Sequence, residues 1–146
     1  MTLIAPPMSV VLLLLALLHG YWGLGGVWPA RDGRSLARTV AGFAGIERMP
    51  PAAASLAVAV ALLAACLWPL MLAAEVGGGL PDWLVGLGGL GLAFVFTVRG
   101  ILGYLPGWRR RTPEQPFARL DPLLYSPLCL LLGSGFFALL LEKLTP

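Results

Sequence analysis

The sequence predicts an all-α integral membrane protein, a four-helix bundle forming one transmembrane domain over 1–146. Three observations predict it. Hydrophobic residues fill 58% of the 146 positions and charged residues 12%, about half the ~25% usual in a soluble domain. Four long charge-free stretches, 1–30, 49–74, 83–98 and 122–141, punctuate the chain. Nine of the ten basic residues are Arg, confined to two loops and one of the expected helices. A soluble chain of this size needs far more polar surface. Mean hydropathy of +0.85 agrees. These values exclude a secreted disulfide scaffold, a disordered tail, a coiled coil and an ordinary cytosolic enzyme.

Each span has its own start and stop signals. A membrane helix takes ~20 apolar residues. The first span, about 7–28, opens at Pro6-Pro7, because proline is tolerated in the first helical turn. It lacks the basic n-region of a signal peptide and reads as a retained helix. The second, about 51–74, opens at Pro50-Pro51, ends at Gly77-Gly78-Gly79 and should kink at Pro69. The third, about 83–105, runs from Pro81-Asp82 to Pro106-Gly107. It must carry Arg99, at ~2.5–3.5 kcal/mol for a central arginine. Twelve Leu, Ile, Val or Phe residues between Leu84 and Leu105 supply roughly −4 to −7 kcal/mol, so the span survives. The fourth, about 122–141, starts with Asp121 as a helix cap and Pro122 at the first helical position. Within it, Pro127 deprives the Leu123 carbonyl of its usual donor. Trp28, Trp83, Tyr104 and Trp108 fall at span ends, where amphipathic rings favour the interface.

The basic residues set an orientation. Arg31, Arg34, Arg38 and Arg48 lie in the first loop, and Arg109, Arg110, Arg111 and Arg119 in the third. Only Lys143 lies on the other side. The positive-inside rule places both loops in the cytoplasm and both termini outside a bacterial plasma membrane. In the first loop, Leu36, Val40 and Phe43 recur at helical spacing and suit a short interfacial helix. A hairpin turning near Gly42–Gly45 is an alternative. Ala53, Ala57, Ala61 and Ala65 form a small-residue ridge on helix two. Gly86, Gly89, Ala93, Gly100 and Gly103 keep helix three thin for close packing. The ridge leaves open whether its partner is another helix of this chain or a second copy.

Few residues carry chemistry. Gly86-x-Gly88-x-x-Gly91 matches a dinucleotide-binding string, but no strand precedes it and it lies inside a span. Cys66 and Cys129 differ by roughly 10 Å in depth at ~1.5 Å per residue, too far for a disulfide, and read as small buried hydrophobes. A single His19 makes no metal site, and one haem ligand is its limit. No basic run interleaved with aromatics indicates nucleic acid. An ionisable residue in a span is a functional hypothesis whose partner should be named. For Arg99 the candidates are Asp121 and Glu47.

Depth groups the remaining polar residues. His19, Tyr21, Trp22, Arg99, Tyr104, Asp121, Tyr125 and Ser126 fall in the cytoplasmic half. Asp121, Tyr125 and Cys129 share a helix face at i, i+4, i+8. The outer half has only Glu75 and Asp82, near its edge. The pattern implies a pocket toward the cytoplasmic leaflet, not a through-channel or a proton-coupled exporter.

The strings HGYWGLGGVWP (19–29), ARTVAG (37–42), RMPP (48–51), Arg99-Gly100 and EQPFARLDPLLYSPLCLLLG (114–133) resemble the domain-of-unknown-function 3995 family of small bacterial four-helix membrane proteins. The resemblance implies a membrane location and a shared motif set, and brings no activity. Its motif positions are His19, Tyr21, Trp22, Arg99, Asp121, Tyr125 and Pro127. Family members vary after the arginine of helix three, and here that stretch reads GILGYLPGW.

The ligand-binding candidates are therefore His19, Tyr21, Trp22, Arg99, Asp121 and Tyr125. The expected role is a binding or accessory module in the bilayer, holding a lipid, a small apolar ligand or a protein partner. The alternatives are a purely structural bundle, or a membrane-embedded enzyme using His19 and Arg99 on a lipid-like or anionic substrate. The residues name no cofactor.

Overall fold

The computed structural model describes residues 3–74 and 79–145. Glu75 and the Gly77-Gly78 stop signal lie outside them. The described residues are helical, without strands. The elements are α1 (Ala5–Gly23), α2 (Gly33–Val40), α3 (Ala52–Ala65), α4 (Trp68–Leu72), α5 (Asp82–Leu102), α6 (Pro106–Arg111), α7 (Phe117–Leu120) and α8 (Ser126–Leu144). One π-helical turn, Asp121–Tyr125, joins α7 to α8. Four helical tracts are long and apolar enough to cross a membrane: Ala5–Gly23, Ala52–Leu72, Asp82–Leu102 and Phe117–Leu144.

Proline places most of the boundaries. It lacks an N–H and has a helical φ, so α1 begins with Pro6 and Pro7 in its first turn and α3 follows Pro51. Pro81 caps α5 in extended geometry. Pro69 interrupts the second span: α3 ends at Ala65, and α4 restarts at Trp68. Pro106 opens the short α6. α1 stops at Gly23, and the chain turns through Gly25 at φ 95°.

The spans pair as two hairpins. α1 packs along α3, and α5 along α8. α4 bridges them at one end, touching α1, α5 and α8. The shared core lies there, around Met8, Leu12, Leu72, Val85, Leu132 and Phe136. Phe96 stacks on Phe136 at 6.0 Å. Large apolar side chains such as Leu14, Val60, Phe94 and Leu131 point outward, at 60–70% exposure. Asp121 and Ser126 are buried. That inversion suits a lipid solvent, in which polar groups must be satisfied internally.

Small residues set the close approaches, with one difference from the sequence pattern. On α5, Gly89, Ala93, Gly100 and Gly103 are buried, while Gly86 meets nothing within 4 Å. On α3, Ala53, Ala57 and Ala61 are exposed and only Ala65 of the ridge is buried. α1 instead meets the neighbouring face of α3, with Gly20 near Ala59 and Gly23 against Leu56.

The first and third loops lock together at the other end. α2 forms in the first loop, capped by the Asp32 carboxylate, which accepts from the Ser35 amide at 2.8 Å. Leu36 and Ala37 are its buried residues. The hairpin alternative is also realised, because the chain turns through Gly42 and Gly45 at φ 66° and 69°. The Ala44 amide donates to the Arg111 carbonyl, and the Glu114 amide to the Gly42 carbonyl, both at 3.1 Å. The Glu114 carboxylate accepts from the Gly45 amide at 3.0 Å and lies 3.5 Å from Arg38.

Candidate functional site

The sequence-derived candidates fall into two clusters under this loop cap. The first is an ion pair between α5 and the π-turn. Arg99 donates to Asp121 Oδ1 at 2.7 Å. Glu47, the other candidate partner, pairs with Arg34. The Asp121 carboxylate also accepts from Ser126 Oγ at 3.1 Å and Trp108 Nε1 at 2.9 Å. Arg99 lies over the Trp108 ring, 5.4 Å from its centroid, a cation–π arrangement. The Asp121 side chain is 3% exposed and that of Arg99 30%. Three donors converge on one buried carboxylate, so its charge is well matched within the bundle.

Two readings of Asp121 need correction. It does not cap a helix: no cap bond forms there, and the helix runs on from α7 into α8. Nor does its carboxylate bond to Tyr125 or Cys129 of the expected face; Ser126 takes that place. Pro122 and Pro127 lack the N–H that would close α-helical bonds to residues four before them. The Ser126 amide instead reaches back to the Asp121 carbonyl, a five-residue step. The wider turn sets Ser126, not Tyr125, beside the carboxylate. Tyr125 turns to α2, and its hydroxyl donates to the Thr39 carbonyl at 2.9 Å. Cys66 and Cys129 are free thiols.

The second cluster lies at the end of α1. His19 Nδ1 is 2.8 Å from the Leu15 carbonyl. A carbonyl only accepts, so Nδ1 donates, and Nε2 is the ring nitrogen left for another partner. The His19 and Trp22 rings meet edge-on at 5.0 Å. Trp22 Nε1 donates to the Trp28 carbonyl at 2.8 Å. Tyr21 stands apart: it is half exposed, and its hydroxyl accepts from the Trp28 amide at 3.4 Å. Beside His19 and Trp22 opens a groove of about 180 Å³, walled by Val40, Met49, Ser55 and Val58. Its walls include neither Arg99 nor Asp121.

Sequence reasoning thus brought Arg99 and Asp121 together and separated neither cluster from the other. It read Trp108 only as an interface aromatic, because Trp108 follows the Pro106 break and shares no helical register with Arg99. Ser126 was grouped by depth without a partner. Gly103 was read as packing alone. It faces Ser126 and Asp121 so closely that a Cβ there would collide with Ser126 Oγ and approach Asp121 Oδ2 to 3.0 Å. Glu114, which ties the loops together, stood only as the first residue of the family string at 114–133.

An all-helical chain with four membrane-length spans and a paired arginine inside the third defines a small polytopic membrane protein. Residues 12–136 match the family model described as "Protein of unknown function (DUF3995)", and the chain belongs to that family. The match covers all six candidate residues. No curated protein and no solved structure matches the chain.

Proposed function

We propose that this protein is a binding module of the bacterial plasma membrane, with its ligand site in the groove beside His19. One observation carries the reading. The bond from Nδ1 to Leu15 fixes the His19 ring, leaving Nε2 as the atom available to a ligand, and the buried Ser55 adds a hydroxyl to the same walls. Arg99, by contrast, is engaged by Asp121. That favours a structural role for the ion pair: it fixes α5 against the π-turn and holds the inner end of the bundle together. The enzyme reading needs His19 and Arg99 on one substrate, and the groove holds only His19. A protein partner would have to enter the same groove or dock on the loop cap.

The experiment is native mass spectrometry of protein extracted in mild detergent. Wild type should carry a reproducible small-molecule adduct. His19→Ala should lose it while keeping the helical circular dichroism of wild type. A bare wild-type mass would overturn the binding reading in favour of a structural bundle. For orientation, eight loop arginines against Lys143 support cytoplasmic loops and external termini. A reporter fused after Pro146 should read as external, and a cytoplasmic signal would reverse the assignment.

A further inference from the structure

Resting on that binding reading, we infer that the ligand is an uncharged, single-chain amphiphile of the bilayer. Its hydroxyl headgroup lies at His19 and its chain lies in a second groove between α1 and α8. This second groove, about 470 Å³, is walled by Ile4, Met8 and Val11 on α1 and by Leu128, Leu131 and Gly135 on α8. Its walls are apolar apart from Ser134.

Register places the α1 walls of the two grooves on one helix face. Ile4, Met8, Val11, Leu15, His19 and Trp22 follow one another at three- and four-residue steps, the spacing of a single helix face. Ile4, Met8 and Val11 line the apolar groove, and His19 and Trp22 line the polar one. Leu15 sits between them, partly buried against the core. The stripe is apolar at one end and polar at the other, as an amphiphile requires.

Length and volume fix the class. At ~1.5 Å per residue, Met8 and His19 lie roughly 16 Å apart along α1. Half of a ~30 Å hydrocarbon core is about 15 Å, the reach of one leaflet's chain. At ~30 Å³ for a water-sized group, the apolar groove holds roughly sixteen such groups, which suits one chain and not two. Headgroup charge follows from the walls. Neither groove is lined by Asp, Glu, Lys or Arg, and an unpaired charge buried there would carry a penalty of several kcal/mol. His19 and Ser55 both line the polar groove, and a hydroxyl headgroup can bond to either.

The test uses the purified full chain and a monomyristoylglycerol probe carrying a diazirine at the chain end. After photolysis, labels are mapped by peptide mass spectrometry. They should concentrate on Met8, Val11, Leu128 and Leu132. Labelling should fall about tenfold in His19→Phe, in line with one lost hydrogen bond to the headgroup. Val11→Trp and Leu128→Trp fill the groove from opposite walls, and each should abolish groove labelling. Two variants guard against misfolding of either, and circular dichroism checks both. A myristic acid probe with the same diazirine should label about tenfold less, because its carboxylate finds no cation.

Labels spread equally over the outward-facing Leu14 and Leu17 would overturn the proposal, as would equal labelling by the acid. If wild type carries a His19-dependent adduct but the groove stays unlabelled, the amphiphile proposal falls and the binding reading stands. If neither adduct nor groove label is found, both fall.

Discussion

Replacing Gly103 by alanine isolates the closest approach in the ion-pair cluster. The backbone there has φ −59° and ψ −19°, which any residue adopts, so the cost is purely steric. A Cβ would collide with Ser126 Oγ, lie 2.9 Å from Ser126 Cβ and lie 3.0 Å from Asp121 Oδ2. Rotating the serine hydroxyl relieves the first collision but not the second, because Cβ is fixed to the α8 backbone. The helices must part, and the Ser126–Asp121 bond is lost. Overpacking costs ~1–3 kcal/mol, and a polar contact within a membrane bundle contributes ~0.6–1.7 kcal/mol. The expected loss is roughly 2–4 kcal/mol. Denaturant titration in mixed micelles, followed by far-ultraviolet circular dichroism, measures it. Ser126→Gly removes both colliding atoms. In that background Gly103→Ala should cost less than half as much, giving a coupling of about 1–2 kcal/mol. Strict additivity of the two substitutions, or a neutral Gly103→Ala, would refute the steric argument.

Two further outcomes follow from the charges. Asp121→Leu leaves Arg99 unpaired inside a span. Breaking a buried pair costs ~3–5 kcal/mol, but Arg99 is partly exposed and its head can reach polar surroundings, so about 1–3 kcal/mol is expected. Arg99→Met combined with Asp121→Leu should recover most of that loss, and a double variant no better than the single one would count against the pair as a structural tie. At α2, the Ser35 amide and then its hydroxyl hold the Asp32 carboxyl below the usual carboxylate range. Its folded value is depressed, so the cap's contribution is present above the unfolded value and is lost as pH falls through the folded one. Exchange protection of the Ser35 amide should therefore drop below about pH 4 in wild type and stay constant in Asp32→Asn, which keeps an oxygen acceptor. Protection that survives acid in wild type would show that α2 does not depend on this cap.

Much of the fold was legible because its signals are local. Proline is best tolerated where a helix lacks an internal donor, so Pro6, Pro51 and Pro81 mark starts, and Pro106 the end of the third span, without any tertiary information. Pro69 predicted the break between α3 and α4 for the same reason. The site was less legible. Arg99 was conspicuous because a charge in a span demands a partner, and Asp121 was one of two candidates at its depth. The π-turn was not foreseen. Each proline was read alone, whereas Pro122 and Pro127 act together and shift the register of every residue between them. Ser126 bonds to the carboxylate in consequence, and the Tyr125 hydroxyl bonds to Thr39.

The sequence by itself determined the solvent of this protein, its four apolar spans and the crowding of polar residues at one end. Those properties depend on composition and on neighbours a few residues apart. Only the tertiary structure decided which polar residues meet. It joined Arg99 to Asp121, Ser126 and Trp108, placed His19 and Trp22 in a separate groove, turned Ala53, Ala57 and Ala61 outward, and tied the loops through Glu114. The bonds of Arg99 to Asp121 and of Glu114 to Gly45 join segments 22 and 69 residues apart. Their geometry depends on helix rotation and register, which a one-residue change of turn is enough to alter.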